Sequence, residues 1–203
     1  MTARICSYTF EEYCEKVKTF HGGVAPGVVI GGFMVDMARR NLPSDTLFDA
    51  ICETKQCLPD AIQLLTPCKA GNQWLKVIDV GRYALVLYDK QTGEGVRVHI
   101  DLEKLQDWPA IREWFLKLKP KAEQDEKQLL DQILEAGGSI LRMEKVNISP
   151  EFLARKPGKT VAICPLCNEP YRAADGLVCP GCAQDKLPYV REPAATELDE
   201  VGT

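Results

Sequence analysis

Arg82-Tyr83-Ala84-Leu85-Val86-Leu87-Tyr88-Asp89 and Gly95-Val96-Arg97-Val98-His99-Ile100-Asp101 are the stretches that decide the fold. Both are rich in branched and aromatic residues and are bounded by turn formers, as strands are. In the second, Val96, Val98 and Ile100 fall on one side while Arg97, His99 and Asp101 fall on the other. Thr92-Gly93-Glu94-Gly95 supplies a turn between the two runs. Trp74 to Asp79 reads as a preceding strand, and Thr46 to Thr54 as another. One covered and one wetter face suits an antiparallel sheet.

Outward from this centre the period becomes helical. Thr9-Phe10-Glu11-Glu12 has the form of a capping box, in which a hydroxyl and a carboxylate satisfy N–H groups at a helix start. Phe10, Tyr13, Cys14 and Val17 then share a face, predicting a helix over residues 10–20. After the glycine-rich turn His21-Gly22-Gly23-Val24-Ala25-Pro26-Gly27 comes an apolar, buried helix, and Pro59 sits near the start of a shorter one. Two more are expected near Ala110 to Leu118 and Gln124 to Ala136, the latter ended by Gly137. Strands and helices without strict alternation indicate an α+β fold, a mostly antiparallel sheet with helices on one face. It spans residues 1–155.

Cys164-x-x-Cys167 and Cys179-x-x-Cys182 define a second, smaller domain over residues 156–192, a zinc-ribbon or treble-clef-like module. Each pair brings two thiolates round one turn, and four sulfurs are a natural tetrahedral set for Zn²⁺. Such a closed shell leaves no position open for a substrate, so the zinc is structural. Residues 150–160 read as a linker. Residues 193–203, acidic and poor in large apolar groups, read as a disordered tail.

The 203-residue chain carries a net charge of −4, and 45% of its residues are hydrophobic. It lacks the basic excess that phosphate backbones require, so no nucleic acid is expected. The metal module has six Lys/Arg against five Asp/Glu between Glu151 and Glu192, a balance of +1 that four thiolates and Zn²⁺ turn slightly acidic. Its exposed apolar candidates, Tyr171, Leu177, Leu187 and Tyr189, favour docking on protein, and a homodimer is the simplest case. The most apolar stretch, Val24 to Val35, holds a proline and several glycines and is too short for a bilayer. Nine cysteines, an odd number, suit reduced thiols and the cytoplasm.

A second constellation surrounds the glycine-rich turn. His21 ends one helix, and Pro26-Gly27 opens the next with free N–H groups, a plausible anion site. Cys57 begins another helix and Cys68 lies just beyond its end. Histidine with two thiolates would hold a second transition metal and leave a coordination position open. His99 reads as a hydrogen-bonded sheet residue, and Trp108, Trp114 and Phe115 as packing aromatics.

Phe20-His21-Gly22, Pro26-Gly27, Cys57-Leu58-Pro59-Asp60-Ala61-Ile62-Gln63 with Thr66 and Cys68, Asp79-Val80-Gly81 and Gly95-Val96-Arg97-Val98 together resemble the FmdE family of formylmethanofuran dehydrogenase proteins. The resemblance runs over most of residues 8–185. It implies an α+β domain of a kind compared with the catalytic domain of glyceraldehyde-phosphate dehydrogenases, with a zinc-finger tail. It also implies partnership with the molybdenum or tungsten enzyme that interconverts CO₂ and a formylated amine carrier. The family turn reads His-Gly-His-x-Cys-Pro-Gly, whereas this chain has Gly23 and Ala25 at the second histidine and the cysteine.

Three function classes follow. One is a metal-handling accessory to such a one-carbon oxidoreductase. Another is a small stand-alone enzyme using Cys57 as nucleophile with His21 and Asp60 as base and acid, although Asp60 equally suits a helix start facing the dipole. The last is an interaction factor built on the zinc module.

Overall fold

The computed structural model describes residues 4–154 and 160–183. The chain divides into two compact units, Met1–Leu153 and Ala154–Thr203. The expected tail, Leu187, Tyr189 and most of the expected linker lie outside the described residues.

The first unit begins with a small hairpin, β1 (Arg4–Ile5) and β2 (Tyr8–Thr9). Helix α1 (Phe10–His21) starts at the capping box: Glu12 N–H donates to Thr9 Oγ1 at 3.2 Å, and Thr9 N–H donates to Glu12 Oε2 at 2.8 Å. It stops at Gly22, whose φ of 89° lets its N–H reach the Lys18 carbonyl. Helix α2 (Pro26–Arg40) is buried over most of its length. A Cβ on Gly31 would lie 2.6 Å from that of Ala61, and one on Gly32 would lie 2.5 Å from the Tyr13 ring. The two glycines therefore let α1 and α3 (Leu58–Leu65) approach α2 closely.

A five-stranded sheet follows the order β4-β3-β5-β6-β7, formed by β3 (Phe48–Cys52), β4 (Leu75–Val77), β5 (Ala84–Asp89), β6 (Glu94–Ile100) and β7 (Leu141–Asn147). All pairs are antiparallel except β3 with β4, which α3 joins as a crossover. Helices α4 (Pro109–Phe115) and α5 (Glu126–Ala136) complete the large helices. The inward residues Cys52, Leu85, Leu87, Val96, Val98 and Ile100 pack with α2, α3 and α5 in one core. On the opposite face Ile51, Val86 and Tyr88 form a smaller cluster, partly covered by the one-turn helix α6 (Pro150–Leu153). That face also carries an ion-pair group: Arg97 holds Glu53 with two parallel bonds of 2.7 and 3.0 Å, and Arg82 Nε approaches the same carboxylate at 2.8 Å.

The sequence pattern does not reveal β7. Only Leu141 is buried along it, because it is an edge strand whose side chains are mostly charged and exposed. His99 behaves as expected, with Nδ1 2.9 Å from its neighbour's carbonyl and Nε2 3.5 Å from Glu144.

The second unit contains the hairpin β8 (Val161–Ile163) and β9 (Pro170–Arg172) and the single turn α7 (Pro180–Ala183). Among the described residues no helix is long and apolar enough to cross a membrane.

Candidate functional site

The second unit gathers Cys164, Cys167, Cys179 and Cys182 with their sulfurs all within 4.8 Å of one another. Asn168, at a φ of 58°, turns the chain after the first pair and donates its N–H to the Cys164 carbonyl. The second pair lies at α7, where Cys182 N–H donates to the Cys179 carbonyl. N–H groups donated to the Cys164 sulfur, first from Cys179 at 3.4 Å, pull its thiol down to about 6. The Cys182 thiol is pushed up to about 12, first by its contact with the Cys179 sulfur. Four thiols so close cannot all ionise without a cation among them, and Zn²⁺ is the ion this soft tetrahedral set fits. All nine cysteines are free of disulfides.

In the first unit a cleft of about 1020 Å³ opens over the glycine-rich turn. His21 through Gly27 and Cys57 line one part of it. Trp114, Lys117, Lys119, Pro120, Lys121 and residues of α5 line the rest. His21, at the end of α1, places Nδ1 2.6 Å from Asp60 Oδ2 in the first turn of α3. This contact fixes the ring and commits Nδ1 to the carboxylate, so Nε2 is the nitrogen left for a metal or a proton. Both readings of Asp60 therefore meet in one residue, since it sits at the favourable end of the helix dipole and orients His21.

Cys57 occupies a strained turn. Its φ and ψ are 53° and −51°, and Leu58 N–H bonds back to the Gln56 carbonyl, closing a three-residue γ-turn of the uncommon hand. A non-glycine residue held there costs on the order of 1–3 kcal/mol, a strain often found where a side chain must be aimed. Gly27 makes room for it, since a Cβ on Gly27 would lie 2.9 Å from Cys57 Cβ and 3.2 Å from its sulfur. Tyr83 donates its hydroxyl to the Gly27 carbonyl at 2.6 Å and clamps the start of α2. The first turn of α2 has no acidic residue and no side-chain cap. Burial, aided by the Asp60 charge, raises the Cys57 thiol, so the ground state is a neutral thiol.

Cys68 does not join this group. It is fully buried in the core, its thiol directed to the Phe48 carbonyl at 3.6 Å, and it does not line the cleft. The eight-residue helix α3 stands between Cys57 and Cys68, a rigid spacer of roughly 12 Å. Among the described residues the four-cysteine cluster is the only group of three or more metal-type ligands drawn together. Trp114, expected to be a packing aromatic, lines the cleft, and the lysines beside it carry no recognisable motif. A second concavity of about 500 Å³ near Cys6 has its polar groups internally satisfied: Asp36 pairs with Arg40 and accepts the Cys6 N–H, while Arg39 donates to the Leu65 carbonyl.

Residues 20–149 match the family described as FmdE, molybdenum formylmethanofuran dehydrogenase operon. The chain belongs to the FmdE family. Residues 155–190 match the FmdE treble clef zinc finger, in agreement with the four-cysteine cluster. The fold is shared with the crystal structure of an FmdE-like protein of tungsten formylmethanofuran dehydrogenase from Syntrophus aciditrophicus. The two are 52% identical, and the match covers 94% of this chain and all of that one, with a TM-score of 0.85. A probable S-adenosyl-L-methionine-binding protein of Archaeoglobus fulgidus is 29% identical over 189 residues. That alignment takes in 83% of this chain but only 51% of the relative, so the chain spans about half its length. The FmdE turn of this chain is the one that encloses the cleft.

Proposed function

We propose that this FmdE protein is a metal-binding accessory to a molybdenum or tungsten one-carbon oxidoreductase of the formylmethanofuran dehydrogenase type. Cys164, Cys167, Cys179 and Cys182 hold a structural zinc, and the cleft at His21 and Cys57 is the working site. The observation that carries the reading is the 2.6 Å contact between His21 and Asp60 at a cleft also lined by Cys57. An oriented imidazole with a thiol is half of a soft-metal shell, leaving the remaining positions to water or a ligand. Cys68 is replaced in this scheme by exogenous donors. The reading carries with it a reducing, cytoplasmic setting and a homodimeric protein.

The stand-alone enzyme is the second reading, and the strained turn at Cys57 favours it. The same three side chains would serve, Cys57 as nucleophile, His21 as base and Asp60 as the group that orients it.

Elemental analysis of purified protein separates the two. The metal reading expects a second equivalent in wild type, retained in a Cys164→Ser/Cys167→Ser variant and lost in His21→Ala and Cys57→Ser. One zinc per chain, absent from the double variant, would reject the second metal and leave the thiol reading.

A further inference from the structure

The wall of the cleft opposite His21 is unusual in a chain of net charge −4. Lys117, Lys119 and Lys121 line it, against one acid, Glu126. Lys119 is engaged by Glu113 at 2.8 Å. The Lys117 and Lys121 ammonium groups have no ion-pair or hydrogen-bond partner among the described residues.

Lys117 also occupies a position where glycine would be the easy choice. Helix α4 ends in a Schellman arrangement: Leu118 N–H donates to the Glu113 carbonyl at 2.9 Å and Lys117 N–H to that of Trp114 at 3.3 Å. Lys117 is the left-handed residue of this motif, with φ of 53°. Glycine is preferred there because a Cβ collides with the neighbouring carbonyl. Five non-glycine residues have positive φ among those described, and two of them, Cys57 and Lys117, line this one cleft. Strain gathered at a single concavity, from two distant segments, marks side chains aimed at a ligand. Between them lies an apolar surface of Trp114, Pro120, Leu129 and Leu130. Small-molecule sites combine a mostly apolar lining with a few convergent polar groups in this way, and the volume accommodates a molecule of metabolite size.

We propose that the cleft binds an anionic organic molecule, a flat ring system with two or more carboxylate or phosphate groups. Its acids pair with Lys117 and Lys121, its ring lies on Trp114, and its remaining part faces His21 and Cys57. The inference rests on the reading of this cleft as the working site and names the class of ligand that site takes.

The probe is benzene-1,3,5-tricarboxylate, with the neutral benzene-1,3,5-tricarboxamide as comparison, titrated into the full chain by calorimetry. Wild type binds the acid at least tenfold more tightly than the amide, and its affinity falls as salt rises. A Lys117→Gln/Lys121→Gln variant loses at least tenfold in affinity for the acid, while Lys16→Gln on α1 loses none. The tryptophan emission change on binding disappears in Trp114→Phe. Lys117→Gly, which keeps the backbone conformation and removes the ammonium, binds several-fold more weakly while remaining folded. Equal binding of acid and amide, no binding by wild type, or unchanged binding in the double lysine variant would overturn the proposal. The metal content of the same samples is read separately. Retained acid binding with no second metal rejects the metal and keeps the anion site; a second metal with no acid binding rejects the anion site alone.

Discussion

Replacing Gly27 by alanine probes the closest packing in the cleft. The new Cβ would lie 2.9 Å from Cys57 Cβ, 3.0 Å from the Tyr83 hydroxyl and 3.2 Å from the Cys57 sulfur. The sulfur can rotate away, but Cys57 Cβ is fixed by the γ-turn and the Tyr83 hydroxyl is tied to the Gly27 carbonyl. The start of α2 or the Cys57 turn must therefore move. Overpacking of this kind costs about 2 kcal/mol, and the better helix propensity of alanine returns a few tenths at this second helical position. A net loss of about 1.5 kcal/mol lowers Tm by roughly 3–6 °C. Gly23→Ala is the matched control, because a Cβ there meets nothing within 4 Å and its cost stays within about 0.5 kcal/mol. Urea and thermal unfolding of both variants measure the difference, and mass spectrometry after brief alkylation reads the exposure of Cys57, which rises in Gly27→Ala. Equal stability of Gly27→Ala and Gly23→Ala, with Cys57 labelled at the wild-type rate, would refute the idea that Gly27 exists to seat Cys57.

Three other outcomes are expected. Glu53→Ala leaves the Arg97 guanidinium, only 17% exposed, without its bidentate partner, and costs about 3 kcal/mol at neutral pH in urea unfolding. The hydrogen bond from Arg97, with the charges of Arg97 and Arg82, holds the Glu53 carboxyl below its usual range. Its stabilisation is therefore present above the ordinary glutamate pKa of about 4.3 and fades as pH falls below it, so wild type and Glu53→Gln converge in acid. Lys117→Gly relieves a left-handed lysine worth about 1–2 kcal/mol and returns roughly half of that as unfolded-chain entropy, so its Tm rises by a degree or two in calorimetry. Chelation of zinc abolishes amide protection around β8, β9 and α7 in hydrogen exchange while the core strands β5 and β6 stay protected.

The legible parts of the fold are those where a local rule coincides with burial. The capping box at Thr9, the alternation through Val96, Val98 and Ile100, and the stop at Gly137 each carry their own signal. Strand β7 carries none, because its pairing with β6 is set by backbone bonds while its side chains face water. The zinc module is legible because its chemistry is written in spacing. The cleft is legible only by halves. His21 and Cys57 stand out, but their relation depends on Asp60, 39 residues from the histidine, being carried to it by α3. Cys68 is drawn into the group by sequence proximity to that helix, whose length keeps it apart. The γ-turn at Cys57 and the left-handed Lys117 have no residue signature, since both occupy conformations their side chains disfavour.

The fork between Arg97 and Glu53 has a bearing on how this site varies. Glu53 immediately follows β3 and lies four positions before Cys57, so Arg97, two strands away and on the opposite face of the sheet, ties down the root of the loop that presents the thiol. The cleft thus has a mooring on the far side of the sheet. Mutations that drift into Arg97 or Arg82 would be felt at Cys57 without any change among the residues that meet a ligand. Inherited differences in behaviour between otherwise identical clefts can therefore originate behind the sheet, and a search for them confined to the cavity lining would miss their source.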